Sequence, residues 1–375
     1  MKKEVFEATS LLIGTVVGAG VLGMPYVISK SGALIGLILI LVILCTVLIV
    51  NLQTGEIVLR TKERHQLSGY AGKYLGKTFK HITAGAMFIY IFGALVAYVL
   101  GEGQAFYNIF GGSKLLYSLI FFIIMTLIMY SDLGGVAKSE LIMVLPMVLI
   151  LILITIIAIF NIDTSNLVYN NPKNFFVPFG VILFAFLGAV SIPEVAPELK
   201  TQKKYLKRVI LYSTLFVGVL YLSFAFATLG VTGKETTELA TTGLGKAIGY
   251  NLNLISNLFA IFAMSTGFLA LGLAVKWILV YDYGLNKKLA LFLTCVPPFL
   301  VALSGLTTFT KVIGVAGAIG GGLESVIILL MYHKARKMGN RKPEYVLPYH
   351  EYLNYTLIAI LVCGVVYSVY SIIRV

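Results

Sequence analysis

The feature that most constrains this chain is its series of apolar runs, each long enough to cross a lipid bilayer. A membrane-spanning helix needs about 20 apolar residues. Eleven such runs occupy about 8–29, 32–53, 82–106, 115–131, 140–160, 175–196, 209–230, 247–280, 289–304, 311–332 and 353–373. Because 59% of the 375 residues are hydrophobic and 12% are charged, little of the chain remains for a soluble domain. The sequence therefore predicts an all-α polytopic membrane protein with about 11 transmembrane helices, in which 1–375 form a single domain.

The placement of the basic residues predicts the orientation of these helices. The formal net charge is +13, which in a soluble protein would suggest nucleic-acid binding. With the N-terminus inside, the inner side of the membrane would hold 22 of the 29 Lys and Arg residues and the outer side 7. Such a bias is the positive-inside pattern. We therefore expect an integral protein of the cytoplasmic membrane, N-terminus inside and C-terminus outside, with the lipid bilayer and no nucleic acid as partner.

Two of the runs contain a glycine near mid-span that is followed by a proline. The first has Gly18 and Pro25, and the sixth has Gly188 and Pro193. Glycine weakens a helix and proline removes a backbone donor, and a break in hydrocarbon is tolerated where it lines a protected cavity. Small residues in membrane helices also serve packing alone. Matching positions in two five-helix halves nevertheless favour an inverted-repeat transporter. The expected repeats are about 8–160 and about 175–332, with helix 11 at about 353–373.

Three segments carry a resemblance to a known family: 14–25 (GTVVGAGVLGMP), 184–194 (FAFLGAVSIPE) and 265–273 (STGFLALGL). They resemble the hydroxy and aromatic amino acid permeases, such as the tryptophan/tyrosine permeases. This family belongs to the amino acid/auxin permease group of the amino acid–polyamine–organocation superfamily. The resemblance implies a leucine-transporter-type fold with a 5+5 inverted repeat and broken helices 1 and 6. It also implies cation-coupled uptake of an amino acid, neutral or aromatic, by alternating access.

The substrate site is predicted at the two breaks. The outer half of helix 1 would begin with free N–H groups and the positive end of a helix dipole. The backbone of Gly18, Ala19 and Gly20 is therefore expected to bind the substrate carboxylate. Carbonyls between Phe184 and Gly188 are expected to accept hydrogen bonds from the substrate ammonium. Aromatic candidates for the side-chain pocket, each of which also fits simple packing, are Tyr98, Phe184, Phe186 and Phe268.

The sequence leaves two forms of ion coupling open, and no other cofactor or metal is expected. A sodium ion in this superfamily is held between helices 1 and 8 by unwound backbone carbonyls and hydroxyls. The matching residues are Gly14 and Val17 for the carbonyls, and Ser265 and Thr266 for the hydroxyls. Hydroxyls in helices also commonly bond only to their own backbone.

Proton coupling would use carboxyl groups in apolar surroundings, where burial favours the protonated form. The candidates for proton coupling or for a gate are Glu324, Glu102 and Glu194. Glu56 and Asp282 lie near inner helix ends and are expected to be solvated. The resemblance favours protons and the Ser265–Thr266 pair favours sodium, so both alternatives stay open.

Other classes of membrane protein are disfavoured. An enzyme would need a clustered nucleophile, metal or acid–base set, whereas the three cysteines lie far apart and the histidines lie in or beside polar connections. A channel gives no reason for paired broken helices. We therefore expect a secondary active transporter and no enzyme. The remaining alternative is a transporter-like amino acid sensor that binds without net transport.

Overall fold

The structure, a computed structural model, describes residues 3–131, 136–281, 283–348 and 350–373. Within these ranges the chain is helical, and the strand-like pairing is one isolated antiparallel bridge between Gly32 and Asn170. The α-helices are α1 (Lys3–Val16), α2 (Gly20–Ser31), α3 (Ala33–Leu59), α4 (Leu67–Leu75), α5 (Lys77–Phe110), α6 (Lys114–Tyr130), α7 (Val136–Ile159), α8 (Phe179–Phe186), α9 (Ile192–Glu198), α10 (Leu206–Thr232), α11 (Ala240–Ile248), α12 (Tyr250–Tyr281), α13 (Lys287–Leu303), α14 (Phe309–Val315), α15 (Gly322–Met338) and α16 (Glu351–Ile373).

The helices follow the predicted apolar runs in order. Seven described segments are long and apolar enough to cross a membrane, and the bent pair α1 and α2 makes an eighth. Helix α6 and the Val144–Ile159 part of α7 are shorter apolar helices. The all-α membrane architecture is thereby confirmed. The count of eleven crossings and the two repeats stay predictions.

The first span is interrupted where its glycines predicted a break. Helix α1 ends at Val16, α2 begins at Gly20, and the two helices are bent by 47° relative to each other. Pro25, however, lies inside α2. The break is therefore marked by the glycines at 18 and 20, and the proline follows it within the next helix.

The sixth span is also interrupted. Helix α8 ends at Phe186 and α9 begins at Ile192, with a single 3₁₀ turn between them. Pro193 stands in the first turn of α9, where a missing N–H costs no intrahelical hydrogen bond. Here the proline marks the start of the second half-helix, and the predicted break lies just before it.

A third interruption lies in the tenth run and was missed at the level of the sequence. Between α14 and α15 the chain forms a π-helical turn, Ala316–Gly321, a geometry that is rare and frequent at functional sites. This turn packs directly on α8, because a methyl group placed on Gly317 would lie 2.0 Å from the carbonyl oxygen of Gly180. The glycines of this turn therefore allow two backbones to touch.

Two short helices lie in segments that were predicted to be plain connections. Helix α4 buries Leu67, Tyr70, Ala71 and Tyr74, which is the i, i+3, i+4, i+7 spacing of an amphipathic helix. Helix α11 likewise buries Ala240, Thr241 and Leu244. The spacing in α4 was available in the sequence and could have identified that helix.

The expectation that Glu56 is solvated is wrong. Its side chain is fully buried, and Oε1 accepts hydrogen bonds from Arg60 Nε and Nη2, both at 2.8 Å. Its Oε2 accepts from the Tyr332 hydroxyl and from the Leu347 backbone N–H, both at 2.8 Å. The segment between α15 and α16 folds over the end of α3 and excludes water from this carboxylate. Asp282 lies outside the described residues.

Replacing Glu56 by alanine is expected to destabilise the fold by about 3–5 kcal/mol, because Arg60 would lose its buried partner. Thermal unfolding of the purified protein in detergent measures this. The matched control is Glu7→Ala, which removes an exposed ion pair with Lys3 at 3.8 Å and should cost at most about 1 kcal/mol. Equal, small shifts in both variants would contradict the prediction.

Candidate functional site

The first break and the end of α8 border one cavity inside the helix bundle. Its wall combines α1, the break, α2, α5, α7, α8 and α12. The lining residues are Leu11, Gly14, Thr15, Val16, Val17, Gly18, Ala19, Gly20, Tyr90, Tyr98, Val144, Met147, Phe184, Ala185, Ala263, Thr266, Gly267, Ala270 and Leu271. None of these described lining residues has a charged side chain. A charged ligand would therefore meet backbone groups and hydroxyls in this cavity.

Eight of the residues predicted for the site line this cavity. They come from four different spans and are Gly14, Val17, Gly18, Ala19, Gly20, Tyr98, Phe184 and Thr266. The cavity wall thus combines residues of helices 1, 3, 6 and 8. The roles assigned to these residues stay predictions.

Two helix ends meet at the cavity with opposite polarity. Helix α2 begins at Gly20, and Ala19 before it supplies no side-chain cap, so its first N–H groups lack intrahelical partners. Helix α8 ends at Phe186, and its last carbonyls are free in the same sense. The cavity therefore has backbone donors near a positive dipole end on one side and backbone acceptors on the other.

Tyr98 of α5 places its hydroxyl between the first break and α12. A methyl group on Gly18 would lie 3.7 Å from this hydroxyl, and one on Gly267 would lie 2.8 Å from it. Beside it, the ring of Tyr90 packs on that of Phe184, with centroids 5.1 Å apart. These aromatic rings form part of the cavity wall beside the break.

Three polar residues that were missed at the level of the sequence hold the two breaks in place. The Tyr221 hydroxyl donates to the Val16 carbonyl at 2.7 Å, and the Thr15 hydroxyl donates to Ser191 Oγ at 3.0 Å. Ser191 Oγ in turn donates to the Gly188 carbonyl at 2.8 Å. Thr15 and Ser191 stand inside the two motifs and could have been proposed. Tyr221 lies 205 positions from its partner, so no local pattern indicates it.

The model of the tryptophan/tyrosine permease family matches residues 1–371. The chain belongs to this family. The resemblance stated from the three motifs is thereby confirmed.

The family relatives are amino acid transporters. Glutamine transporter 2 of Aliivibrio fischeri is 26% identical over 352 residues, covering 90% of each protein. Tyrosine-specific transport system 1 of Haemophilus influenzae is 27% identical over 388 residues, covering 96% of this chain and 94% of the relative. The family and these relatives are transporters and not enzymes, as expected from the sequence.

A solved structure confirms the leucine-transporter-type fold of this permease family member. The crystal structure of MhsT in complex with L-phenylalanine superposes with a TM-score of 0.68. The match covers 99% of this chain and 98% of that chain at 13% sequence identity. The likeness at this identity concerns the fold alone.

The two hydroxyls proposed for a sodium site have different surroundings. Thr266 lines the cavity, and its hydroxyl donates to the Phe262 and Ala263 carbonyls of its own helix at 2.9 and 3.2 Å. Ser265 does not line the cavity, and its hydroxyl donates to Glu102 Oε1 at 2.8 Å. The structure thus groups Thr266 with Gly14 and Val17, and it pairs Ser265 with a carboxyl group.

The three carboxyl groups proposed for proton coupling also differ. Glu102 and Glu324 have 0% exposed surface. Both oxygens of Glu324, and Oε2 of Glu102, have no hydrogen-bond partner within the described ranges. Glu194 is exposed, and its Oε1 accepts from Gln66 Nε2 at 3.1 Å. The expectation of apolar surroundings is therefore wrong for Glu194, because the short helix α9 carries it to a polar end of the bundle.

Three residues proposed for substrate binding lie outside the cavity lining. The ring of Phe186 packs on Tyr221 with centroids 5.3 Å apart, and the ring of Phe268 meets Phe121 edge-on at 5.2 Å. Gly188 faces α1, since a methyl group on it would lie 2.7 Å from Val16 Cγ2. These three residues therefore pack against α10, α6 and α1, respectively.

Proposed function

We propose that this chain is a secondary active transporter that imports a neutral or aromatic amino acid by cation-coupled symport and alternating access. The observation that carries the proposal is the uncharged cavity at the α1–α2 break. There the N–H groups from Gly18 to Gly20 would bind the substrate carboxylate. The carbonyls at the end of α8 would accept from the substrate ammonium. The basic residues favour a cytoplasmic membrane location with the N-terminus inside and the C-terminus outside.

The lining of the cavity supports a substrate with a neutral side chain. Tyr98, Phe184, Val144 and Met147 contribute aromatic or apolar surface, and an ionised side chain would find no opposite charge among the described lining residues. The relatives named for glutamine and tyrosine, and the phenylalanine bound to MhsT, agree with such a substrate.

The two broken spans supply a physical basis for alternating access. A few residues between helices can absorb large changes of backbone angle, and both breaks here offer such hinges. The hydrogen bonds from Thr15 to Ser191 and from Tyr221 to Val16 link the hinges to each other and to α10. We infer that repeats at about 8–160 and 175–332 move relative to each other around the cavity.

For the coupling ion we favour the proton, because the carboxyl groups of Glu102 and Glu324 are fully buried within the helix bundle. A sodium ion held by Gly14, Val17 and Thr266 is the second candidate, since these three residues line one cavity. A sensor that binds without transport would use the same cavity. Transport measurements distinguish a proton-coupled transporter, a sodium-coupled transporter and a sensor.

Purified protein in proteoliposomes is expected to accumulate labelled tyrosine, phenylalanine or glutamine when an inward proton gradient is imposed. With one proton per substrate, a gradient of one pH unit supports about tenfold accumulation. A parallel arm uses a sodium gradient at equal pH, and protein-free vesicles are the control. If none of the twenty amino acids accumulates under either gradient, the transporter proposal fails. Binding to the detergent-solubilised protein without accumulation would favour the sensor.

A further inference from the structure

We propose that the ring of Phe309 is the barrier between the substrate cavity and a second, outer cavity through which the amino acid enters. This inference rests on the proposed function, because it names the closed point on the entry side of that transport path. In the proposed orientation the Phe110 end of α5 lies outside. The Tyr250 end of α12 lies beside it, since Asn253 Nδ2 donates to the Asn108 carbonyl at 3.0 Å.

The outer cavity has a volume of about 760 Å³, which is ample for water. Its wall combines α5, α6, α11, the end of α13 and the start of α14. On the α5 side its lining is polar, because Gln104 Nε2 donates to Asn108 Oδ1 at 2.6 Å and Asn108 Nδ2 donates to Thr242 Oγ1 at 2.7 Å. Phe309, the first residue of α14, is also part of this wall.

The ring of Phe309 lies between two glycines that belong to different spans. A methyl group on Gly23 of α2 would lie 3.4 Å from Phe309 Cε1, and one on Gly101 of α5 would lie 3.2 Å from Phe309 Cε2. Opposite edges of one ring therefore face α2 and α5. Because neither glycine has a side chain, the ring approaches both backbones and leaves 5% of the residue exposed.

This ring lies about one helical turn outside the substrate cavity. Gly23 follows Gly20 by three residues, and Gly101 follows Tyr98 by three residues, which is about 4.5 Å along each helix. Gly20 and Tyr98 line the substrate cavity, whereas Phe309 lines the outer cavity. The ring is therefore placed between the two cavities.

Two further apolar side chains complete a layer with Phe309. A methyl group on Gly101 would overlap Met264 Sδ of α12, and one on Gly23 would lie 2.8 Å from Ile313 Cδ1 of α14. Met264 and Ile313 are both 0% exposed. An amino acid zwitterion would lose its hydration in such a layer at a high free-energy cost, so the layer has to open before the substrate can pass.

The substrate cavity is more accessible from its inner side than from its outer side. Thr15 of the inner half-helix α1 is exposed, whereas Ala19 and Gly20 beyond it are buried. On α12, which runs in the opposite direction, Ala263 is buried and Ala270 is half-buried. All five residues line the cavity. Exposure thus falls towards the outer side on two walls of the cavity, as a closed outer barrier requires.

A hydrogen bond holds the start of α14 in this closed position. Glu238, in the connection between α10 and α11, accepts from the Thr310 backbone N–H at 3.2 Å. Glu238 and Phe309 both line the outer cavity. A hydrogen bond beside water can be exchanged for one to water at a small net cost. This contact can therefore release when α14 shifts and carries Phe309 out of the path.

The test measures how fast a cysteine in the substrate cavity reacts with a membrane-impermeant maleimide added outside intact cells. The reporter is Ala270→Cys, and cells with the unaltered protein give the background from the three native cysteines. F309A in the reporter protein is expected to raise the labelling rate at least about tenfold. F309L, the milder variant, should raise it by less. The matched control is F299A, because the Phe299 ring stacks on Phe122 with centroids 4.0 Å apart and is not among the lining residues of either cavity.

The outcomes decide the assignment without reference to uptake. An unchanged labelling rate in F309A and F309L overturns it, and so does an equal increase in F299A, which would indicate a general loosening of the bundle. In inverted vesicles, where the maleimide reaches the inner side, the reporter should react in all variants, and no reaction there also contradicts the closed outer barrier. If F309A reacts fast but the unaltered protein accumulates no amino acid, the barrier stands and the proposed function fails. In the reverse case transport stands and the assignment of Phe309 is wrong.

Discussion

Replacing Gly20 by alanine is expected to reduce amino acid uptake by about 10- to 100-fold, because overpacking costs about 1–3 kcal/mol and 1.4 kcal/mol is a factor of ten in rate. The added methyl group would lie 2.7 Å from Ala185 Cα and 2.9 Å from Ala185 Cβ. A backbone atom cannot turn aside as a long side chain can, so α2 and α8 would have to separate. These are the two helix ends proposed to bind the carboxylate and the ammonium of the substrate.

The initial rate of labelled amino acid uptake in proteoliposomes measures this effect. Gly85→Ala is the matched control, because a methyl group on this exposed glycine of α5 would meet no atom within 4 Å. It should transport like the unaltered protein. Unchanged uptake in Gly20→Ala would show that the close approach of α2 and α8 is not needed for transport.

A valine in place of Gly317 is expected to destabilise the folded protein by about 3 kcal/mol or more, at the upper end of what overpacking costs. Its Cβ would lie 2.0 Å from the carbonyl oxygen of Gly180 and 2.6 Å from Phe184 Cβ. The contact is reciprocal, since a methyl group on Gly180 would lie 2.1 Å from the Gly314 carbonyl oxygen. Neither backbone can yield without moving the π-helical turn off α8.

Thermal unfolding in detergent and the yield of monodisperse protein test this prediction. Gly85→Val controls for the cost of a β-branched residue in a helix, because Gly85 has open space around it. A melting temperature of Gly317→Val equal to that of Gly85→Val would contradict the tight crossing. Uptake by the surviving protein then shows whether the turn also serves transport.

Much of the fold could be predicted from the sequence, because a spanning helix is a local property. Its signal is the length of an apolar run, and its interruption is signalled by glycine and proline within that run. The breaks near Gly18 and Gly188 were predicted in this way. The π-helical turn was missed, because glycine-rich runs in membrane helices also serve ordinary packing.

The partners of the polar side chains were the part that local patterns could not predict. Ser265 was proposed as a sodium ligand beside Thr266, yet it donates to Glu102, 163 positions away. Glu56 was expected to face water, yet it is enclosed by Tyr332 and Leu347 from the other end of the chain. In both cases the residue could be singled out from the sequence, whereas its contacts come from distant segments of the chain.

The sequence by itself determined that this chain is a membrane protein, that its first and sixth spans are broken, and to which family it belongs. These properties depend on neighbouring residues along the chain, whose apolar or glycine-rich character can be seen without a fold. Only the tertiary structure decided which carboxyl groups are buried, which hydroxyl meets which acid and which backbones touch. Those are contacts between residues far apart in sequence, and the packing of helices against one another selects them.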